Sequence, residues 1–244
     1  MKPIRSFVLR QGRITGAQRA ALDNLWNDYG VELADDAQGR AVAKGSASVA
    51  GGRMPGATAP LDLDTLFGRT APRVLEIGFG MGDALAEMAR AHPEQDFLGI
   101  EVHRPGVGNL LRLLAEQQAG NVRVICADAV EVLSRYLPDA AFDAVHLFFP
   151  DPWPKRRHHK RRIVQPSFVA LVAQKLKRGG RLHLCTDWEG YAMQMLEVLD
   201  AAPEFTNAYP ADYYATRGAR PLSKFERRAT REGRDVWDLV FLVP

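Results

Sequence analysis

From Phe148 the chain reads Phe-Phe-Pro-Asp-Pro-Trp-Pro-Lys, with a single carboxylate, Asp151, between two prolines and Trp153 and Lys155 close behind. Pro150, Pro152 and Pro154 rule out both helix and sheet pairing, so this stretch is a stiff loop. An acid held rigidly at the end of an apolar run suits a reaction site. Six of the eight residues from Lys155 to Arg162 are Lys or Arg. A basic run can be no more than a solvated face, but beside an acid it points to a polyanionic substrate. If about four phosphates are neutralised, affinity falls roughly 100-fold between 50 and 200 mM salt.

A second set of chemically capable residues lies upstream. Val74-Leu75-Glu76-Ile77-Gly78-Phe79-Gly80-Met81-Gly82-Asp83 reads as a strand, a glycine turn and a helix start. Gly78, Gly80 and Gly82 allow positive φ and close approach of a ligand to the backbone. The dinucleotide fingerprint wants a small residue where Asp83 stands, and an acid at a helix start repels pyrophosphate. Acids recur at strand ends: Glu76 in the first strand, Glu101 at the end of the second, Asp128 after the third. Glu101 is placed for ribose hydroxyls, Asp128 for an adenine amino group or as a helix cap, and Glu76 for a cationic amino acid group. Three carboxylates in one crevice suit a cationic nucleoside without phosphates, and S-adenosyl-L-methionine fits that description.

These residues need a scaffold, and the patterning supplies one. Strands are predicted at Arg73–Ile77, Phe97–Glu101, Val122–Cys126, Phe142–Phe149 and Arg181–Thr186. Helices are predicted at Asp83–Ala91, Pro105–Gln118, Ala129–Tyr136, Ser167–Lys177 (closed by Gly179-Gly180) and Glu189–Ala201. The alternation implies an α/β fold, a doubly wound, mostly parallel sheet with helices on both faces, whose strand ends line one crevice. The last strand, Asp235–Val243, is expected to run antiparallel. Residues 1–34 read as a basic arm with a short helix, Gln18–Trp26. The arm is either a frayed terminus or a segment lying along nucleic acid. Residues 35–60, rich in Ala, Gly, Ser and Pro, read as a flexible linker or insertion, leaving 61–244 as the main domain.

The chain has 244 residues, 46% of them hydrophobic, with a net charge of +3, so its cations matter through clustering. Cys126 and Cys185 lack any disulfide or metal spacing, and so do His92, His103, His146 and His183. No apolar run approaches the ~18 residues of a membrane helix. A cytoplasmic protein, a monomer or homodimer with no membrane and no metal, is the expectation.

With both motifs in hand, the chain resembles the bacterial tRNA (guanine-N7-)-methyltransferases, Rossmann-like class I enzymes. The matching motifs are Arg5-x4-Arg10-Gln11-Gly12-Arg13-Ile14-Thr15, Val74–Gly80, Gly99-Ile100-Glu101-Val102, Phe148–Lys155 with Arg157-His158, and Ser223-Lys224-Phe225-Glu226-Arg227. The resemblance implies cofactor contacts at Glu76, Glu101, Asp128 and Asp151, with Asp151 catalytic. It implies substrate contacts at Lys155, Asp187, Ser223, Lys224, Phe225 and Glu226. It implies RNA contacts along Arg157, His158, His159, Lys160, Arg161 and Arg162. The tetrad usually starts with Thr, and here Ser223 keeps the hydroxyl but not the methyl. The implied target is guanine 46 of the tRNA variable loop, with S-adenosyl-L-methionine as donor. Arg217, Arg220, Lys224, Arg227, Arg228 and Arg231 read as a second basic patch. Trp153 and Phe225 could stack on a base, although for Trp153 packing under the loop is the simpler role. The competing readings are a class I methyltransferase of another substrate, a nicotinamide oxidoreductase, and a non-catalytic RNA-binding module.

Overall fold

The alternation that begins at Arg73 builds a seven-stranded sheet. A computed structural model describes Phe7 and residues 12–35, 41–44, 60–218 and 220–244. Arg5, Arg10 and Gln11 of the first motif, and 36–40 and 45–59 of the stretch read as linker, lie outside the described residues. The elements begin with α1 (Gly16–Tyr29), β1 (Glu32–Asp35), β2 (Ala41–Lys44) and α2 (Leu63–Phe67). The first half of the sheet follows as β3 (Arg73–Ile77), α3 (Asp83–Ala91), β4 (Asp96–Ile100), α4 (Arg104–Gln117), β5 (Val122–Ile125) and α5 (Ala129–Arg135). Then come β6 (Phe142–Phe148), a 3-10 turn at Arg156–Arg161, α6 (Pro166–Lys175), β7 (Leu176–Thr186) and α7 (Glu189–Asp200). The chain closes with β8 (Thr206–Asn207), α8 (Lys224–Arg231) and β9 (Trp237–Leu242).

The sheet order is β5-β4-β3-β6-β7-β9-β8. Strands β3 to β7 pair in parallel, and β9 runs antiparallel to β7 and β8. The chain winds outward from β3 to β5, then returns to place β6 on the other side of β3. That reversal opens a crevice beyond the carboxyl ends of β3 and β6, the general ligand position in open α/β sheets.

Alternate side chains of β3 feed two cores. Leu75 and Ile77 join Leu133, Phe168 and Met195 on one face, while Val74 joins Leu85, Leu110 and Leu114 on the other. Leu110 and Leu114 are fully buried, and burial of each such side chain stabilises by about 1.5–3 kcal/mol. The predicted short N-terminal helix is longer than expected. Thr15 and Gln18 form a capping box, Gln18 N–H donating to Thr15 Oγ1 (3.2 Å) and Thr15 N–H to Gln18 Oε1 (2.9 Å). Beyond α1, Val31 N–H donates to the Val124 carbonyl (2.8 Å), tying the N-terminal segment to the β5 edge. Strands β1 and β2 pair antiparallel as a separate two-stranded sheet, so Ala41–Lys44, within the stretch read as linker, is strand.

One boundary differs in kind. Gly179-Gly180 does not close α6, because Leu176 is already extended (ψ 144) and pairs with Phe142. The next paired residue is Arg181, opposite Ala144, so residues 177–180 bulge out of β7 opposite Asp143. Gly179 takes φ 71 there, a conformation that strains any residue with a Cβ. Among the described residues no helix is long and apolar enough to cross a membrane, and no group of His, Cys, Asp and Glu could hold a metal ion.

Candidate active site

The crevice between β3 and β6 holds a cavity of about 400 Å³. Ile77, Gly78 and Gly80 line it from the first strand and its turn, Glu101 and His103 from the second, and Asp128 from the third. Phe148, Phe149, Pro150 and Asp151 close the far wall, with Phe7 and Phe225 also at the lining. Gly78 and Gly80 have φ 75 and 61, and a Cβ on either would project into open space. Glu101 fixes the turn: its Oε2 accepts from Gly80 N–H (2.9 Å), and its Oε1 accepts from Val102 N–H (2.6 Å) and His103 N–H (2.9 Å). A carboxylate offers about four acceptor positions, so one remains on Oε2 for a ligand hydroxyl. Asp128 caps α5, its Oδ1 accepting from Val130 N–H (2.9 Å), and lines the cavity as well.

Glu76 stands one residue before the lining. It is only 3% exposed, and its Oε2 has no hydrogen-bond partner among the described residues. Burial, with the Glu101 charge nearby, pushes its carboxyl up to about 8. An unpaired buried acid is costly, and a cationic group arriving beside it removes the cost. His146, its register neighbour on β6, is also buried with Nδ1 unpartnered, and burial beside His183 and Arg181 pulls its imidazole down to about 3.

The proline loop is clamped on both sides of Asp151. Phe149 (φ 50) and Trp153 (φ 43) both occupy the left-handed region, at a cost of about 1–3 kcal/mol each for residues with a Cβ. On the near side, Phe149 N–H donates to the Cys185 carbonyl (2.9 Å), its ring stacks on Phe225 (5.9 Å, 22°), and the Arg220 guanidinium lies 5.8 Å from its centroid. On the far side, Arg162 Nε donates to the Pro152 carbonyl (2.9 Å), while the Trp153 ring meets Arg161 (4.8 Å) and the edge of His158 (5.7 Å). Asp151, exposed at the cavity wall, is held between the two clamps.

Behind Phe149 runs a buried network of charges. His183 Nε2 lies 2.7 Å from Asp238 Oδ1, and Arg220 donates to both Asp238 oxygens at 2.8 Å. Arg220 also pairs with Glu226 through both Nη atoms, and Arg217 Nε donates to Glu226 Oε1 (2.6 Å). Burial alone would push Asp238 up, but its hydrogen bonds from Arg220 and His183 outweigh that and hold its carboxyl below the usual range. Ser223 caps α8, its hydroxyl accepting from Glu226 N–H (3.0 Å).

A family model described as "Putative methyltransferase" matches residues 70–239. The chain is 52% identical over 240 residues to the "tRNA (guanine-N(7)-)-methyltransferase" of Alkalilimnicola ehrlichii, covering 98% of this chain and 92% of that one. It is 51% identical over 242 residues to the protein of that name from Alcanivorax borkumensis, covering 99% and 92%. This chain belongs to the tRNA (guanine-N7-)-methyltransferase family. Among solved structures it is similar to an antibiotic-related methyltransferase (TM-score 0.52, 14% identity, covering 75% of this chain and 93% of that one). It is also similar to the 16S rRNA methyltransferase KamB (TM-score 0.51, 17% identity, covering 76% and 95%). Both share the Rossmann-like, doubly wound fold expected from the sequence.

In this member of the family the cavity gathers Gly78, Gly80, Glu101, Asp128, Asp151 and Phe225, with Glu76 just behind. Three expected contacts, and one member of the second basic patch, are placed otherwise. Gly82 is not among the lining residues. A Cβ there would come within 2.6 Å of Leu110, so this glycine serves helix packing. Arg162 is buried (3% exposed) and committed to Pro152, Gly190, Gln194 and the Tyr191 ring, so it holds the loop rather than reaching RNA. Glu226 faces inward to Arg217 and Arg220 rather than outward to substrate. Arg220, read as part of a basic patch, is the buried hub of that network. Lys155 and Asp187 lie outside the cavity lining, Lys155 exposed and Asp187 paired with Arg234. The outward cations are Arg156, Arg157 and Lys160 on the 3-10 turn and Lys224, Arg227, Arg228 and Arg231 on α8, with His158, His159 and Arg161 half-buried. Sequence reasoning passed over the packing role of Phe149 and the charge network of Asp238 and His183, the histidine having been read only as lacking metal spacing. The signal for the last two was a single polar residue within an apolar strand, which demands a buried partner.

Proposed function

We propose that this protein transfers a methyl group to N7 of guanine 46 in the variable loop of tRNA, using S-adenosyl-L-methionine. The observation that carries the reading is its near 50% identity, over almost the whole chain, to proteins named for that guanine-N7 activity. The cleft supports it: the orphaned carboxyl of Glu76 fits a ligand bearing an ammonium group. When bound, S-adenosyl-L-methionine supplies an electrophilic methyl group on a sulfonium. Glu76 then holds the amino acid cation, Glu101 accepts a ribose hydroxyl, and Asp128 faces the adenine. Gly78 and Gly80 leave room for close approach.

Guanine N7 carries an in-plane lone pair and is unprotonated at neutral pH, so no general base is required. Catalysis then rests on orientation and charge, and good alignment lowers such barriers by up to ~7–11 kcal/mol. Asp151 stabilises positive charge as it arrives on the purine. Phe225, which lines the cavity, receives the base, and the exposed Lys155 and Lys224 bind the substrate beyond it. Arg157, His158, His159, Lys160 and Arg161 meet the phosphates. On this reading residues 61–244 form the methyltransferase domain, residues 1–34 serve as an RNA-facing arm, and the protein works in the cytoplasm.

N7 faces the deep, narrow groove of double-stranded RNA, which is why a variable-loop guanine suits this site. The test is incubation with unmodified tRNA transcript and S-adenosyl-L-methionine, followed by chemical cleavage at 7-methylguanine. One cleavage site at the variable-loop guanine is expected. Transcript left intact would end the proposal.

A further inference from the structure

We infer that Arg220 is a positioning residue for this reaction: its guanidinium bridges Asp238 and Glu226 and lies against Phe149, and thereby fixes where Asp151 stands. The inference rests on the methyl-transfer reading above. Arg220 is 8% exposed, donates to both oxygens of Asp238 on β9, and pairs with Glu226 on α8. The same planar group lies 5.7 Å from the Phe148 ring centroid and 5.8 Å from that of Phe149. One side chain therefore joins the last strand, the helix bearing Phe225, and the start of the proline loop.

From Phe149 to Asp151 the backbone has few soft torsions. Pro150 locks its own φ, and Phe149 is held at φ 50 by contacts rather than by intrinsic preference. A shift of the Phe149 ring therefore carries through to Asp151 with little loss. The far clamp, Arg162 on the Pro152 carbonyl, comes from the segment that follows the loop directly. The near clamp comes from remote parts of the chain, so substituting Arg220 loosens one side of Asp151, where the Phe149 N–H bond to Cys185 remains, and leaves the other held. The glycine turn and Glu101, gripped by their own backbone bonds on the β3–β4 side, do not touch Arg220.

Lysine keeps the charge but lacks the fork that spans two carboxylates, so Arg220→Lys is the informative variant, with Arg220→Gln beside it. Cofactor affinity is measured by calorimetry with S-adenosyl-L-methionine alone, and turnover at saturating tRNA and cofactor. The expected result is a 10-fold or greater fall in kcat for both variants, with cofactor Kd within 2-fold of the parent. Lys175→Met serves as a control, since it removes a buried ammonium that pairs with the exposed Asp139 and donates to the Leu137 carbonyl, neither of them in the loop. It should lower Tm and leave kcat unchanged. Parent-like kcat in Arg220→Lys would overturn the inference. So would a matching loss of cofactor affinity, or failure of both Arg220 variants to fold, since either makes the residue general scaffolding. If the parent protein itself leaves tRNA unmethylated, the proposed function fails first, and that outcome is distinct from an active parent with active Arg220 variants.

Discussion

Glu76 and Glu226 are equally buried, each 3% exposed, yet they live in opposite company. Glu76 sits just behind the cavity with one oxygen unpartnered among the described residues and Glu101 as a repelling neighbour. Glu226 sits on the buried face of α8 with two arginines on it. The first is an unmet demand, which a ligand cation can meet. The second is already met, which makes it scaffolding. The same division runs through the molecule. On the β3–β4–β5 side Glu101 and Asp128 line a cavity with Glu76 just behind, and on the β7–β9 side Arg220, Asp238, His183 and Glu226 satisfy one another, with exposed cations on the 3-10 turn and α8.

The largest expected effect is on the paired side. Glu226→Ala leaves the Arg220 charge short of a partner in a buried site, a change that typically costs about 3–5 kcal/mol. Thermal melting should fall by roughly 6–20 °C, taking ~2–4 °C per kcal/mol for a chain of this size. A melt close to the parent's would mean Glu226 is not scaffolding. Next is Asp151→Ala, which should lower kcat by about 100–1,000-fold, the usual loss for one preorganised electrostatic group. Single-turnover transfer rates measured at saturating cofactor would check it, and unchanged transfer would remove Asp151 from the chemistry.

The open side answers differently. Glu76→Gln should weaken cofactor binding by roughly 10–150-fold, the worth of a charged hydrogen bond of about 1.5–3 kcal/mol, without a comparable loss of fold stability. The pH response follows from the raised carboxyl. Below its reference value of 4.5 the Glu76 carboxyl is protonated in folded and unfolded chains alike. Between there and about 8 only the unfolded chain ionises, so Glu76's contribution to stability is lost as pH rises through that window. The ligand-free protein should therefore gain stability at pH 8.5 on Glu76→Gln, and little or none at pH 5. The smallest effect belongs to the outer cations: Arg157→Ala with Lys160→Ala should reduce the salt slope of tRNA binding by about 2, and an unchanged slope would place the RNA elsewhere.

The legible features were local ones. Acids after apolar runs, a glycine turn and three alternating prolines announce a strand end, a backbone cradle and a rigid loop within a few residues of sequence. What escaped depends on segments far apart in the chain. Arg162 and Arg220 look like members of basic runs, and only the arrival of Gln194, Asp238 and Glu226 makes them internal. The Gly179-Gly180 pair looked like a helix stop, but pairing of Leu176 with Phe142 pulls the chain into the sheet sooner. Ser223-x-x-Glu226 carries its own cap signature, which accounts for its hydroxyl without a substrate.

Calorimetry of S-adenosyl-L-methionine binding at pH 7, in two buffers of different ionisation enthalpy, tests the Glu76 assignment most directly. A carboxyl protonated in the empty cleft and ionised beside a cation should release about one proton per ligand bound, and Glu76→Gln should abolish the release. Equal heats in both buffers, with the Gln variant binding as tightly as the parent, would contradict it.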